Sequence, residues 1–262
     1  MLYKFMGGSG EALSDVFDKA VREGSVRFAS AARFNDPFEF KFTTVSPPTR
    51  DSFDKWHDIY APEYTAEQRS HAWSAFEGPA SDFNTRFLPR AVFLAQCYVL
   101  CLARTWRSHL MWGHYASEHR GFAICYADDL TDAFAQDSNF GGRGNVVYSN
   151  VVPELRWFEG TPSDMVGPII GTKSTEWQYE GEYRVVLYGS ANKHAIFRTV
   201  ESSLIAGIVL GARASEPLIA KAIALRSERP SFRVWQISSA IDSFELVTRH
   251  VEDGVRHFGS FL

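Results

Sequence analysis

What most constrains the fold of this chain is a series of short apolar runs, each closed off within a few residues by charge, glycine or proline. FLAQCYVLCLA (93–103), FAICYA (122–127), EYRVVLY (182–188), LIAGIVLG (204–211) and FRVWQIS (232–238) are of this kind. Runs of such length, rich in β-branched and aromatic residues, read as strands with little solvent on either face. LYKF (2–5), SVRFAS (25–30) and FELVTRH (244–250) alternate in the manner of half-buried strands. Helical spacing occurs between them. Leu13, Val16, Phe17, Ala20 and Val21 make a stripe that Ser9 or Ser14 can start and Gly24 can end. Ser108 can cap a helix running to His119, with Arg120 in its last turn and Gly121 just beyond, and Pro217 opens a helix over 215–227. Many strands with helices at the start, middle and near the end predict an α+β fold, a central mixed or antiparallel sheet with flanking helices. No repeat, low-complexity tract or linker is visible, so one domain over 1–262 is expected.

Residues 48–92 have a different texture. Charges are frequent, prolines stand at 62, 79 and 89, and Trp56, Tyr60, Trp73 and Phe76 recur at helix-like intervals. This predicts a helical insertion of two or three amphipathic helices. ARFNDPFEF (32–40) reads as a turn, because proline biases Asp36 away from helix and Asn-Asp offer side-chain turn bonds. Gly141, Gly142 and Gly144 read as a loop leading into VVYS (146–149).

The formal charge of −4 and the absence of a Lys/Arg stripe argue against a strong nonspecific hold on nucleic-acid backbones. No apolar run reaches 18 residues and MLYKFMGGSG lacks the core of a signal peptide, so a cytoplasmic protein with no membrane partner is expected. Cys97 and Cys101, about 13 Å apart along a strand, cannot bridge, and with Cys125 they read as reduced core thiols.

Chemistry concentrates in MWGHYASEHRG (111–121) and WQYEGEYR (177–184), where imidazole, phenol, indole, carboxylate and guanidinium groups are crowded together. His109, His114 and His119 are spaced by five, about 140° apart on a helix, so they do not converge on one metal ion. GPIIGTKS (167–174) departs from a phosphate loop because Thr172 separates the second glycine from the lysine, and it reads as a turn. No nucleophile elbow is present and Cys101 lacks an activating neighbour. Trp112 and Tyr115 are either core residues with satisfied polar tips or, with His114, the wall of a pocket. On an extended strand Glu180, Glu182 and Arg184 share a face, with Gly181 as a bulge or close approach. They form either an exposed ion pair of little consequence or a working pair in which one carboxyl is raised by its neighbour. Glu39 is expected to point outward.

Taken together, YKF near the start, SVRFASAARFNDPFE (25–39), LCLA (100–103) ahead of LMWGHYASEHRGFAICY (110–126), KSTEWQYEGEYR (173–184) and the late IVLG (208–211) resemble the bacterial domain of unknown function 2971. The likeness spans nearly the whole chain. Leu102-Ala103 stands where that family has Phe-Ser, so no hydroxyl there takes part in this protein's chemistry. The layout is also similar to ADP-ribosyltransferase-like folds, with a polar residue on the first strand, an aromatic on the second and a later E-x-E. Lys4, Arg27-Phe28 and Glu180-x-Glu182 fill those places, although Lys4 stands where such transferases carry His or Arg. This resemblance implies an ADP-ribosyltransferase or NAD glycohydrolase acting in bacterial conflict or defence. Glu182 is then the catalytic carboxylate and Glu180 its partner. Lys4 and Arg27 contact NAD, His114, Tyr115 and Trp112 line the site, and Asn35, Asp36 and Arg184 are further binding groups. The alternatives are a metal-independent nuclease or hydrolase using His114 as acid or base with Arg184 on a phosphate, and a non-catalytic sensor that binds a nucleotide or a protein. The acceptor is open.

Overall fold

Each of the short apolar runs becomes a strand in the computed structural model, which describes residues 1–45, 47–78, 94–191 and 193–251. In chain order the strands are β1 (Leu2–Met6), β2 (Ser25–Ser30), β3 (Thr43–Thr44), β4 (Cys97–Ala103), β5 (Phe122–Tyr126), β6 (Phe140–Asn145) and β7 (Val147–Tyr148). They continue with β8 (Glu154–Leu155), β9 (Thr172–Lys173), β10 (Glu182–Tyr188), β11 (Ala195–Thr199), β12 (Ile205–Leu210), β13 (Arg233–Ser239) and β14 (Leu246–His250). Ten of them form one mixed sheet, in which β12 and β13 run parallel and the other neighbours antiparallel. The fold is α+β.

The sheet forks at β4. A strand has two hydrogen-bonding edges, and β10 occupies one of them from Cys97 to Ala103. The other edge is shared: β2 pairs at Tyr98 and Val99, while β1 pairs only at Ala103. β2 leads outward to β11, and β1 leads the opposite way through β5, β12 and β13 to β14. The stretch of β4 between these two partners is spanned by a side chain, with Lys4 Nζ donating to the carbonyl of Cys101 at 2.9 Å.

Side-chain alternation along β4 sets the two faces. Tyr98, Leu100 and Leu102 join the largest core cluster, with Phe17 and Val21 from the first helical segment and Leu218 and Leu225 from the helix Glu216–Glu228. On the opposite face the core is divided. Ala103 packs with Phe5, Met111 and Trp112, whereas Cys97 and Val99 pack with Phe40, Ile169 and Ile170. Cys101 packs against the second of these clusters and lies at the fork.

Several expectations are corrected. The glycines at 141, 142 and 144 belong to strand β6 on the edge of β10, not to a loop. Residues 162–171 form a helix capped by Thr161, so the GPIIGTKS turn begins only at its end. The helix after Ser108 covers His109–Tyr115 and stops short of His119. Ser117, Glu118 and His119 all have left-handed φ, of 48°, 54° and 68°. In the expected insertion, Arg50–Tyr60 and Ala66–Trp73 are helices, each closed by a capping box at Thr49 or Thr65. Its part at 79–92 lies outside the described residues. No described helix is long and apolar enough to cross a membrane.

Candidate functional site

A cavity of about 470 Å³ opens in the fork, a size suited to a small-molecule ligand. Tyr3, Lys4 and Phe5 of β1 form one wall, and Arg27 and Ala29 of β2 with Arg33, Phe34 and Asn35 form the other. Cys101, Leu102 and Ala103 of β4 run beneath. Met111, His114 and Tyr115 close it from the helix His109–Tyr115, and Glu39, Lys173, Glu180 and Glu182 make its polar floor.

That floor is built by a compact piece of chain. The helix Pro162–Gly171 ends and Lys173 follows in β9, held by parallel pairing with β7. Ser174 then caps a 3-10 segment, Thr175–Glu180, whose last residue is buried. Gly181 adopts a left-handed conformation, φ 50° and ψ 49°, and turns the chain into β10 at Glu182. Glu180 and Glu182 are therefore not neighbours on one strand face, as the extended reading had it. They are joined through a turn, and Gly181 is the helix cap rather than a strand bulge. The E-x-E spacing still places both carboxylates in the floor.

Lys173 is the hub. Its Nζ lies 2.6 Å from Glu180, 3.1 Å from Glu39 and 3.5 Å from Glu182. Arg184 clasps Glu182 with two bonds of 2.9 Å, pairs with Glu39, and donates to the carbonyl of Ile170 at 2.5 Å. All five side chains are buried. Burial alone would raise the carboxyl of Glu182, but Arg184 and Lys173 overcome it and hold the group down at about 2. Burial would likewise strip Lys173 and Arg184 of their protons, yet the surrounding carboxylates push both well above their ordinary values. The carboxyl that moves up is Glu39, where burial outweighs the two cations. The expected upward shift thus falls on a residue read as pointing outward, and Glu182 moves the opposite way.

Tyr115 donates to Glu180 at 2.6 Å, and burial together with this bond raises its hydroxyl well above the usual phenol range. The Tyr148 hydroxyl oxygen accepts from the backbone amide of Glu182 in the same turn at 2.8 Å. The Cys101 thiol is pushed well up, by burial first and by Glu182 second, so it is a poor nucleophile. At the opposite end, Lys4 and Arg27 take part in no ion pair among the described residues, and Arg33 meets the His194 ring at 2.9 Å. The cavity is consequently dipolar, with cations along β1 and β2 and carboxylates at the floor.

Lys4, Arg27, Asn35, His114, Tyr115, Glu180 and Glu182 thus converge on one cavity. Three expected contacts do not. Trp112 is fully buried in the core, edge-on to Phe5, with its indole N–H spent on the carbonyl of Trp106. Asp36 borders a separate cavity of about 200 Å³ and accepts from the amide of Phe38, as a turn residue does. Arg184 is sealed behind Glu182 and borders a third cavity on its other side. Lys173, Glu39 and Arg33 were missed as site residues. Lys173 and Glu39 sat in segments read as turns, and nothing local marks a charge for burial.

Residues 111–185 match a family model described as Protein of unknown function (DUF2971), which bears out the family resemblance over that segment. The matched segment runs from the helix carrying His114 and Tyr115 to the ion-paired start of β10. No curated protein and no solved structure matches the chain.

Proposed function

We propose that this chain, which over residues 111–185 is a DUF2971 family protein, binds NAD in the forked cavity and cleaves its nicotinamide–ribose bond, as a glycohydrolase or an ADP-ribosyltransferase. The observation that carries this reading is the dipolar cavity, with Lys4 and Arg27 in no ion pair among the described residues at one end and a buried bed of carboxylates at the other. Lys4, Arg27 and Arg33 suit the pyrophosphate, as a point charge and two forks. Tyr115 and Phe34 line the same cavity and supply aromatic surface for the base.

Breaking the bond from C1′ to the pyridinium nitrogen sends its electron pair to nicotinamide and leaves an oxocarbenium-like ribosyl cation, which water or an acceptor then attacks. Carboxylates fixed in advance stabilise that cation without reorganising. Glu182, anionic at any working pH, supplies field. Its oxygens are committed to Arg184 and Lys173. Glu180 accepts one bond on each oxygen, from Tyr115 and Lys173, and retains capacity for a ribose hydroxyl. The lead role proposed for Glu182 from sequence therefore passes to Glu180. The nuclease alternative loses its phosphate contact, since Arg184 does not reach the cavity.

The test is release of free nicotinamide from NAD by the pure protein, compared with Glu180→Gln. Loss of about 10²-fold or more in rate, in a variant that remains folded at the assay temperature, supports the assignment. NAD that stabilises the protein without turnover would instead select the sensor. A variant as active as the parent would remove Glu180 from the chemistry.

A further inference from the structure

The cavity wall formed by β2 continues outward onto β11. Arg27 lines the cavity, and its antiparallel partner across the strand pair is Phe197. Residues paired in this way project to the same face with Cα atoms about 5 Å apart, so Phe197 stands beside Arg27 on the cavity side of the sheet. Among the described residues β11 is the last strand on its side of the sheet, and Phe197 is 58% exposed. It meets no other ring and no cation among the described residues, whereas Lys41 lies over the exposed ring of Phe38 at 4.1 Å. A single exposed phenylalanine is ordinary. What sets this one apart is its place beside a cavity-lining arginine. Arg33 lines the same wall and meets the His194 ring at 2.9 Å. A guanidinium only donates, so the imidazole accepts and Arg33 keeps its charge. The amide of Ser30 donates to the carbonyl of His194 at 3.1 Å, which holds the entry to β11 against the turn after β2. Arg27 and Arg33 take part in no ion pair among the described residues. Asp137 does pair with β11, but through Arg198, which alternation puts on the opposite face from Phe197.

We infer that this strip is a subsite for a nucleoside diphosphate, with the diphosphate on Arg27 and Arg33 and the base stacked on Phe197. Two guanidinium forks suit a diphosphate. An exposed ring beside them suits a nucleobase, since every base has a face that stacks on an aromatic side chain. Diphosphate and base then occupy neighbouring strands, as a ligand that joins them through a sugar requires. The inference rests on the NAD reading only in making the bound group the adenosine half of the dinucleotide. Nicotinamide and its ribose then enter the cavity towards Glu180, and adenine stays outside on the sheet. Phe197 holds the ligand and has no part in the chemistry.

The probes are ADP and inorganic pyrophosphate, each titrated into the intact chain by calorimetry in metal-free buffer. Pyrophosphate carries at least as much charge as ADP, so a gain for ADP comes from its nucleoside. ADP is expected to bind at least about tenfold more tightly, the worth of one stacked base. Phe197→Ala should erase that ratio, and Phe197→Trp, which keeps a stacking face, should retain it. Arg27→Ala should weaken both probes and leave the ratio in place. Equal affinity for the two probes, or no binding of either, would overturn the inference even in a protein that cleaves NAD. A Phe197→Ala protein that still prefers ADP as strongly would overturn the role of Phe197. ADP held on Phe197 by a protein that releases no nicotinamide from NAD would sink the NAD reading and leave the subsite standing.

Discussion

At the scale of single residues, the decisive feature is a buried charge cluster that joins Glu39 to a distant stretch of chain carrying Lys173, Glu180, Glu182 and Arg184. Glu39 and Arg184 are 145 residues apart and form an ion pair in the core. Breaking such a pair from one side leaves an uncompensated charge, so Arg184→Met should cost about 3–5 kcal/mol of stability in chemical denaturation. A loss below about 1 kcal/mol would mean that water reaches the cluster. The acid response follows from Glu182. Its folded-state value of about 2 lies below the ordinary glutamate value of about 4.3. Its contribution is therefore complete above about 4.3 and is lost as pH falls from there towards 2. Glu39, displaced upward, acts in the opposite sense: folding favours its protonated form, and stability from it declines as pH rises through its titration. Melting temperature followed downward from about pH 6 should fall more steeply in the parent than in Glu182→Gln. Parallel curves would dissociate Glu182 from acid unfolding.

At the scale of elements, two backbone devices hold the site in shape, and they fail for different reasons. Gly181 has open space around it, with the nearest atom 3.9 Å from an added Cβ, so its need is purely conformational. Gly181→Ala should cost about 1–2 kcal/mol through the left-handed φ and should disturb the entry of Glu182 into β10. Gly121 is the contrary case. An added Cβ would lie 2.1 Å from the carbonyl oxygen of Met6 in β1, and backbone cannot yield as a side chain does. Gly121→Ala should destabilise by about 1–3 kcal/mol, read from urea midpoints. A neutral result would show that β1 and the start of β5 separate easily. Between the helix of His114 and Gly121 lies the left-handed turn Ser117–His119, a conformation costing roughly 1 kcal/mol per residue. It is clamped on both sides. The amide of Gly8 donates to the Ser117 hydroxyl at 2.7 Å, and that of Arg213 to the His119 carbonyl at 2.9 Å. The turn thereby anchors Tyr115 beside β1.

At the scale of the whole molecule, the cavity exists because one central strand has two partners on the same edge. The cations that face it at Lys4 and Arg27 pair with no carboxylate among the described residues. Arg27→Ala should thus leave the melting temperature of the ligand-free protein unchanged while weakening the stabilisation produced by NAD. An equal loss with and without NAD would assign Arg27 a structural role instead. Much of this molecule was legible in the chain itself. Apolar runs and alternation determined β1, β2, β4, β5, β10 and the later strands, three-four spacing determined the first helix and Pro217 marked the start of the last, because those signals are properties of neighbouring residues. The convergence of His114, Tyr115, Glu180 and Glu182 was anticipated from motifs rich in polar and aromatic groups, and that of Lys4 from the layout resemblance. Tertiary structure alone decided the rest. It buried Trp112 and Arg184, turned Asp36 aside, made a strand of the glycines at 141–144, and drew Glu39 and Lys173 inward. Whether a charge lies in water or in the core depends on which segments close over it, and that is settled by pairing across the sheet rather than by the residues on either side.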